Sequence, residues 1–207
     1  RSRQRVSVRK RGRRTIRRRF EAAAIWLLDV GSGAQRRLTP WRNGLEHFAS
    51  SFSPDGTTLL ATRHDNRRTD EAEPIALDLA SGRSTRLLVD GGFPVYSPDG
   101  AAIALVREGP DGATDLYVLD TSGLRRLTRS PGKLELFASW DPSGQRLAYV
   151  RFSGGNSEAA SFGIGDALMQ INADGSCPTK TLSEPGVGFY VPAWQPGPGR
   201  EAGRIAC

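Results

Sequence analysis

Three segments of the chain repeat one pattern at a fixed interval: FSPDGTTLLATR (Phe52–Arg63), YSPDGAAIALVR (Tyr96–Arg107) and WDPSGQRLAYVR (Trp140–Arg151). Their prolines, Pro54, Pro98 and Pro142, lie 44 residues apart. A shorter fourth match, AWQPG, puts Pro196 54 residues beyond Pro142, and the ten extra residues fall in a Gly/Ser-rich stretch (Ser153–Gly165) that reads as a long loop. An aromatic stands two residues before each proline: Phe52, Tyr96, Trp140 and Trp194. A period of this size means one supersecondary unit per repeat, which can bury its faces only by stacking on its neighbours.

Each period carries four short strand signals. The first ends in the aromatic, as in Leu136–Trp140. A tight turn follows, in which Pro presets φ, Asp or Ser bonds local backbone, and Gly56, Gly100 or Gly144 accepts φ > 0. The second strand reads LLATR, IALVR or LAYVR and is expected to end at Arg63, Arg107 or Arg151. The third is Ile75–Leu79, Leu116–Asp120 or Leu168–Asn172, and after a Gly turn the fourth is Thr85–Leu88, Arg125–Thr128 or Lys180–Ser183. Ile25–Asp29 and Arg36–Thr39 supply a further third and fourth strand. Short strands, Gly/Pro turns and no helical periodicity imply an all-β chain. Four antiparallel strands per 40–50 residues is the arithmetic of a β-propeller blade. About four blades are expected, over roughly 21–42, 43–90, 91–130 and 131–185, with a closing strand at 186–197 and a tail at 198–207. The aromatic of each repeat is expected to wedge between blades.

Charge is unevenly spread. Residues 1–20 hold eleven Lys/Arg and no acid, so residues 21–207 carry 18 basic against 22 acidic residues, a net charge of −4. The basic segment reads as a solvated tail or as degenerate strands: Gly12 lies 44 before Gly56, and Thr15–Ile16 falls opposite Leu59–Leu60. With only Phe20 to stack on bases, nucleic acid is not an expected partner. The longest apolar run, Ala22–Leu28, is too short to span a membrane. The chain opens on Arg1 and reads as a fragment or a processed product.

The pattern resembles the TolB-like β-propeller family, whose repeats run aromatic-Ser-Pro-Asp-Gly, an apolar strand, an I-Y-x-x-D strand and x-R-x-L-T. The likeness rests on Phe52–Gly56, Tyr96–Gly100, Trp140–Gly144, Trp194–Gly197, Leu116–Asp120 and the Leu-Thr pairs at 38–39 and 127–128, and spans residues 25–197. Members are typically six-bladed, so this chain is expected to form a partial ring or a fragment of a larger one. The resemblance implies a non-enzymatic binding or scaffold module with protein partners, working in the periplasm or outside the cell. Two alternatives stay open. One is the substrate-gating propeller of a prolyl-oligopeptidase-like serine peptidase, and the other is a sensor ectodomain.

Catalytic constellations are absent from the sequence. There is no GxSxG elbow. His47 falls in a strand, and His64 is expected in a polar loop with Asp65. The acids Asp65, Asp70, Glu71 and Glu73 lack the ordered spacing of a calcium loop, and neither a metal nor a cofactor is expected. Arg63, Arg107 and Arg151 each fall nine residues after a repeat proline. Equivalent positions of successive blades surround the axis, so these guanidinium forks are candidate ligands for a carboxylate or phosphate. Cys177 and Cys207 are the only cysteines; a bridge between them would pin the Pro/Gly-rich tail and imply an oxidising compartment.

Overall fold

Ser53, Pro54, Asp55 and Gly56 form the turn that sets the architecture. The Gly56 N–H bonds the Ser53 carbonyl at 2.9 Å, and Gly56 takes φ of 69°. The Ser53 Oγ accepts the Thr58 N–H at 2.9 Å, and Asp55 Oδ1 accepts the Thr57 N–H at 3.1 Å. Ser97–Gly100 repeats this, with Gly100 at φ 74° and the Ala102 N–H on Ser97 Oγ. In the third copy the side chains exchange roles: Asp141 Oδ1 accepts the Arg146 N–H at 3.0 Å, and Ser143 donates to Asp141 Oδ2. Ser-Pro-Asp-Gly and Asp-Pro-Ser-Gly therefore close the same turn.

The structure, a computed structural model, describes residues 22–66, 72–109, 111–152, 166–176, 180–182 and 191–194, together with the backbone of two earlier strands. These two, β1 (Val6–Arg11) and β2 (Arg14–Arg19), pair with each other antiparallel. The short pair β3 (Trp26–Leu28) and β4 (Gln35–Arg37) follows. Three four-stranded antiparallel blades come next. The first is β5 (Leu45–Phe52), β6 (Thr58–Asp65), β7 (Ala72–Asp78) and β8 (Ser84–Arg86). The second is β9 (Gly92–Tyr96), β10 (Ile103–Glu108), β11 (Thr114–Asp120) and β12 (Gly123–Arg126). The third is β13 (Leu134–Trp140), β14 (Arg146–Phe152), β15 (Ala167–Asn172) and β16 (Lys180–Thr181), joined to the second by one parallel pair, Thr114 of β11 opposite Leu134 of β13. The fold is an all-β propeller, and no helix occurs among the described residues.

The apolar core lies between blades, as alternating strands require. Ile25 and Leu38 from the β3–β4 unit pack with Leu59, Ala61, Ile75 and Leu77 of the β5–β8 blade. Ala104, Val106, Leu116 and Val118 of the β9–β12 blade pack with Leu147, Tyr149, Met169 and Ile171 of the next. Each fully buried large side chain contributes about 1.5–3 kcal/mol of burial free energy.

The Leu-Thr pairs close the third strand of a blade. The Leu38 N–H bonds the Ile25 carbonyl at 2.8 Å while Thr39 Oγ1 accepts the Ile25 N–H at 2.9 Å. Leu127 and Thr128 do the same for Leu116. In the β5–β8 blade the residue served is Pro74, whose carbonyl accepts from the Leu87 N–H and which has no N–H to satisfy. The threonine position there holds Leu88, fully exposed.

Several sequence expectations change. The second strands do not end at their arginines: β6 runs two residues past Arg63, β10 one past Arg107, and β14 one past Arg151, because each arginine sits in a cross-strand pair. His64 lies inside β6 opposite Glu46 and Ala72, not in a loop. Of the expected closing strand, residues 191–194 are described and run as irregular backbone. Pro196, Cys177, Cys207 and the Ser153–Gly165 stretch lie outside the described residues.

Candidate binding face

First-to-second-strand turns and third-to-fourth-strand turns fall at the same end of every blade, so all of them build one face of the molecule. The innermost strands β5, β9 and β13 end there, each on a repeat aromatic. Trp140 Nε1 donates to the Val95 carbonyl of the preceding blade at 3.2 Å, and Trp194 Nε1 donates to the Ser139 carbonyl at 3.0 Å. These two tryptophans tie blade to blade. Phe52 departs from this, with 52% of its surface exposed.

The same aromatics line a cavity of about 410 Å³ where the innermost strands converge. Phe52, Tyr96 and Trp140 provide its rings, Ser50, Ser51 and Ser139 its hydroxyls, and Val191 its rim. Among the described residues no Asp, Glu, Lys or Arg is in the wall. Burial and the nearby Asp55 charge push the Tyr96 phenol up, so it stays neutral. The Ser50 hydroxyl is buried without a hydrogen-bond partner. Such a surface is chemically suited to an uncharged, partly aromatic or proline-rich segment.

Behind the cavity each innermost strand is bulged. Phe93 and Phe137 sit at these irregularities with φ of 51° and 59°, a conformation that costs a non-glycine residue about 1 kcal/mol or more. Their rings meet edge to face at 5.1 Å. The sequence did carry a signal for them, because Phe93 and Phe137 each stand three residues before a repeat aromatic, and Phe48 stands four before Phe52.

The three candidate arginines occupy equivalent positions of consecutive blades, at the opposite end of the strands. Each has a carboxylate within reach. Arg63 faces Glu73 across β6–β7 and donates to it through Nε at 2.7 Å and through Nη2. Arg107 bonds Asp90 and lies over the Tyr117 ring at 5.1 Å. Arg151 faces Glu135 across β13–β14, donating from Nε at 3.0 Å and Nη2 at 2.6 Å, with Ser130 and Tyr149 as further partners. Glu135, which sequence reasoning passed over, is fully buried. An incoming anion would have to displace these carboxylates. Among the described residues no three His, Cys, Asp or Glu side chains form a group that could hold a metal ion.

No family model and no curated protein matches the sequence. Solved structures do resemble the fold. A TolB-type protein of Agrobacterium tumefaciens aligns at 24% identity with a TM-score of 0.65, over 83% of this chain and 61% of its own. TolB from Acinetobacter baumannii aligns at 22% identity and 0.60, over 87% and 40%. A prolyl endopeptidase aligns at 18% identity and 0.55, over 88% of this chain and 30% of its own. The chain therefore spans less than two thirds of these structures and has a TolB-like propeller fold.

Proposed function

We propose that the chain is a non-enzymatic binding module of the cell envelope or exterior, which takes a segment of a protein partner into its axial cavity. The observation that carries this is the uncharged wall of repeat aromatics and serines contributed by three successive blades. Aromatic-lined grooves hold extended segments through rings and backbone hydrogen bonds, without needing a catalytic group. TolB proteins are among the structures of like fold, which supports a binding role by analogy of architecture.

A random peptide library selected on the protein tests this. Enriched sequences are expected to be uncharged at their core, and Val191→Arg, which puts a charge on the exposed rim, is expected to weaken them about tenfold, or 1.4 kcal/mol. Equal affinity for Val191→Arg, or turnover of the selected peptides, contradicts the proposal.

A further inference from the structure

A second cavity of about 330 Å³ opens on the same face, between the β9–β12 and β13–β16 blades, and shares Ser97 and Trp140 with the axial one. Its character is different. Three aspartates, Asp99, Asp120 and Asp174, and two arginines, Arg125 and Arg146, are in its wall. Both arginines are engaged: Arg125 reaches Asp120 at 3.9 Å and the Ala173 carbonyl at 3.1 Å. Arg146 pairs with Asp141 at 3.1 Å and lies over the Trp194 ring at 5.2 Å. The Ser97 hydroxyl and the Ala101 N–H hold the Asp99 carboxyl below the ordinary aspartate range, so it is ionised at neutral pH.

The β13–β16 blade departs from the repeat at this cavity. Blades of the pattern carry Ser53 or Ser97, Asp55 or Asp99, and Thr58 or Ala102, where this one carries Asp141, Ser143 and Arg146. The third strand ends in Asp29, Asp78 and Asp120 elsewhere but in Asn172 here. Asp29 and Asp78 accept both the N–H and the hydroxyl of a turn serine, and Asp120 accepts a turn serine N–H. Asn172 instead donates from Nδ2 to Ser176, and its Oδ1, in a residue only 6% exposed, has no partner. A cavity wall with an unsatisfied acceptor, an excess of carboxylates and an indole is suited to a cationic donor.

We infer that this cavity is a subsite for a basic side chain, the ammonium or guanidinium of a Lys or Arg carried by the partner segment whose uncharged part the axial cavity holds. The inference rests on the turn face being the docking face. Trp140 is the wall between the two subsites, which places an uncharged residue and a basic one next to each other in the docked segment.

The test is titration of the protein with Nα-acetyl-arginine amide and Nα-acetyl-lysine amide, and with the neutral isosteres Nα-acetyl-citrulline amide and the doubly acetylated lysine amide, read on the Trp140 indole N–H resonance. Saturable shifts are expected for the cations and about tenfold weaker ones for the isosteres, a difference of 1.4 kcal/mol. Asp99→Asn with Asp174→Asn keeps the turn acceptors and is expected to abolish the preference, while Asn172→Asp strengthens it. Matching responses to cation and isostere in the wild-type protein overturn the inference, as does an unchanged preference in the double variant. If the double variant does not fold, the isostere comparison and Asn172→Asp decide. Tighter binding of butane-1,4-diamine than of either amide would assign the site to a small diamine and overturn the side-chain reading. The probes carry nothing for the axial cavity, so their binding persists in Val191→Arg. A failure here is thus separable from a failure of the axial site.

Discussion

Arg151 and Glu135 face each other across the two innermost strands of the β13–β16 blade, and the Glu135 carboxylate that accepts from the guanidinium Nε and Nη2 is fully buried. Its second oxygen has no hydrogen-bond partner. Removing the arginine would strand a charge in the interior. Arg151→Ala is expected to cost about 3–5 kcal/mol, measured by urea unfolding. Replacing both residues, as Glu135→Leu with Arg151→Leu, is expected to recover most of that loss. A double variant no more stable than the single one contradicts this view of the pair.

The Leu-Thr pairs predict a position-dependent cost. Thr128→Val leaves the Leu116 N–H, at a fully buried residue, without its acceptor and is expected to lose about 1–3 kcal/mol. Leu88→Thr occupies the matching place in a blade where Pro74 offers no N–H, and is expected to change stability by less than about 0.5 kcal/mol. Comparable losses at both sites would show that the threonine hydroxyl is not what matters.

Stability should fall with acid in two steps. Burial holds His47 below its ordinary value of 6.5, outweighing its bond to the Ala23 carbonyl. The folded state then binds its proton less readily than the unfolded chain. The contribution is complete above pH 6.5 and is lost as pH falls through the lowered folded value. Serine hydroxyls and turn N–H groups hold Asp29, Asp55, Asp78 and Asp99 below 3.8, and the same sign places their loss below that pH. Urea midpoints from pH 8 to 3 check both steps. His47→Gln should remove the upper one, and a wild-type midpoint that does not move between pH 8 and 5 contradicts it.

Phe93 and Phe137 belong to different blades, so their edge-to-face contact is a tie between units. A double-mutant cycle with alanine at both positions is expected to give a coupling of about 0.5–1.5 kcal/mol. A coupling near zero would mean that the two bulges hold their backbone independently.

The blade pattern was legible because turn chemistry is local: Pro54, Asp55 and Gly56 act within four residues, and the 44-residue interval repeats the result. The inter-blade tie of Trp140 follows from the same repetition, whereas the bonds that the Leu-Thr pairs make to Ile25 and Leu116 emerged only from the structure. What the arginines meet was not legible. Glu73 is ten residues from Arg63, Glu135 is sixteen from Arg151 and Asp90 seventeen from Arg107, so no single spacing announces the pairs. Burial of Glu135 and the positive φ of Phe137 depend on strands brought together by the fold. The two cavities likewise arise from neighbouring blades.

The stacking of blades through their repeat aromatics is the claim on which both binding subsites depend, and hydrogen exchange of the four indole N–H groups tests it most directly. Trp140 and Trp194 donate to carbonyls of the neighbouring unit, whereas Trp26 is 55% and Trp41 40% exposed. Slow exchange at Trp140 and Trp194 with rapid exchange at Trp26 and Trp41 is the expected result; equally rapid exchange at all four would contradict the stacked-blade account.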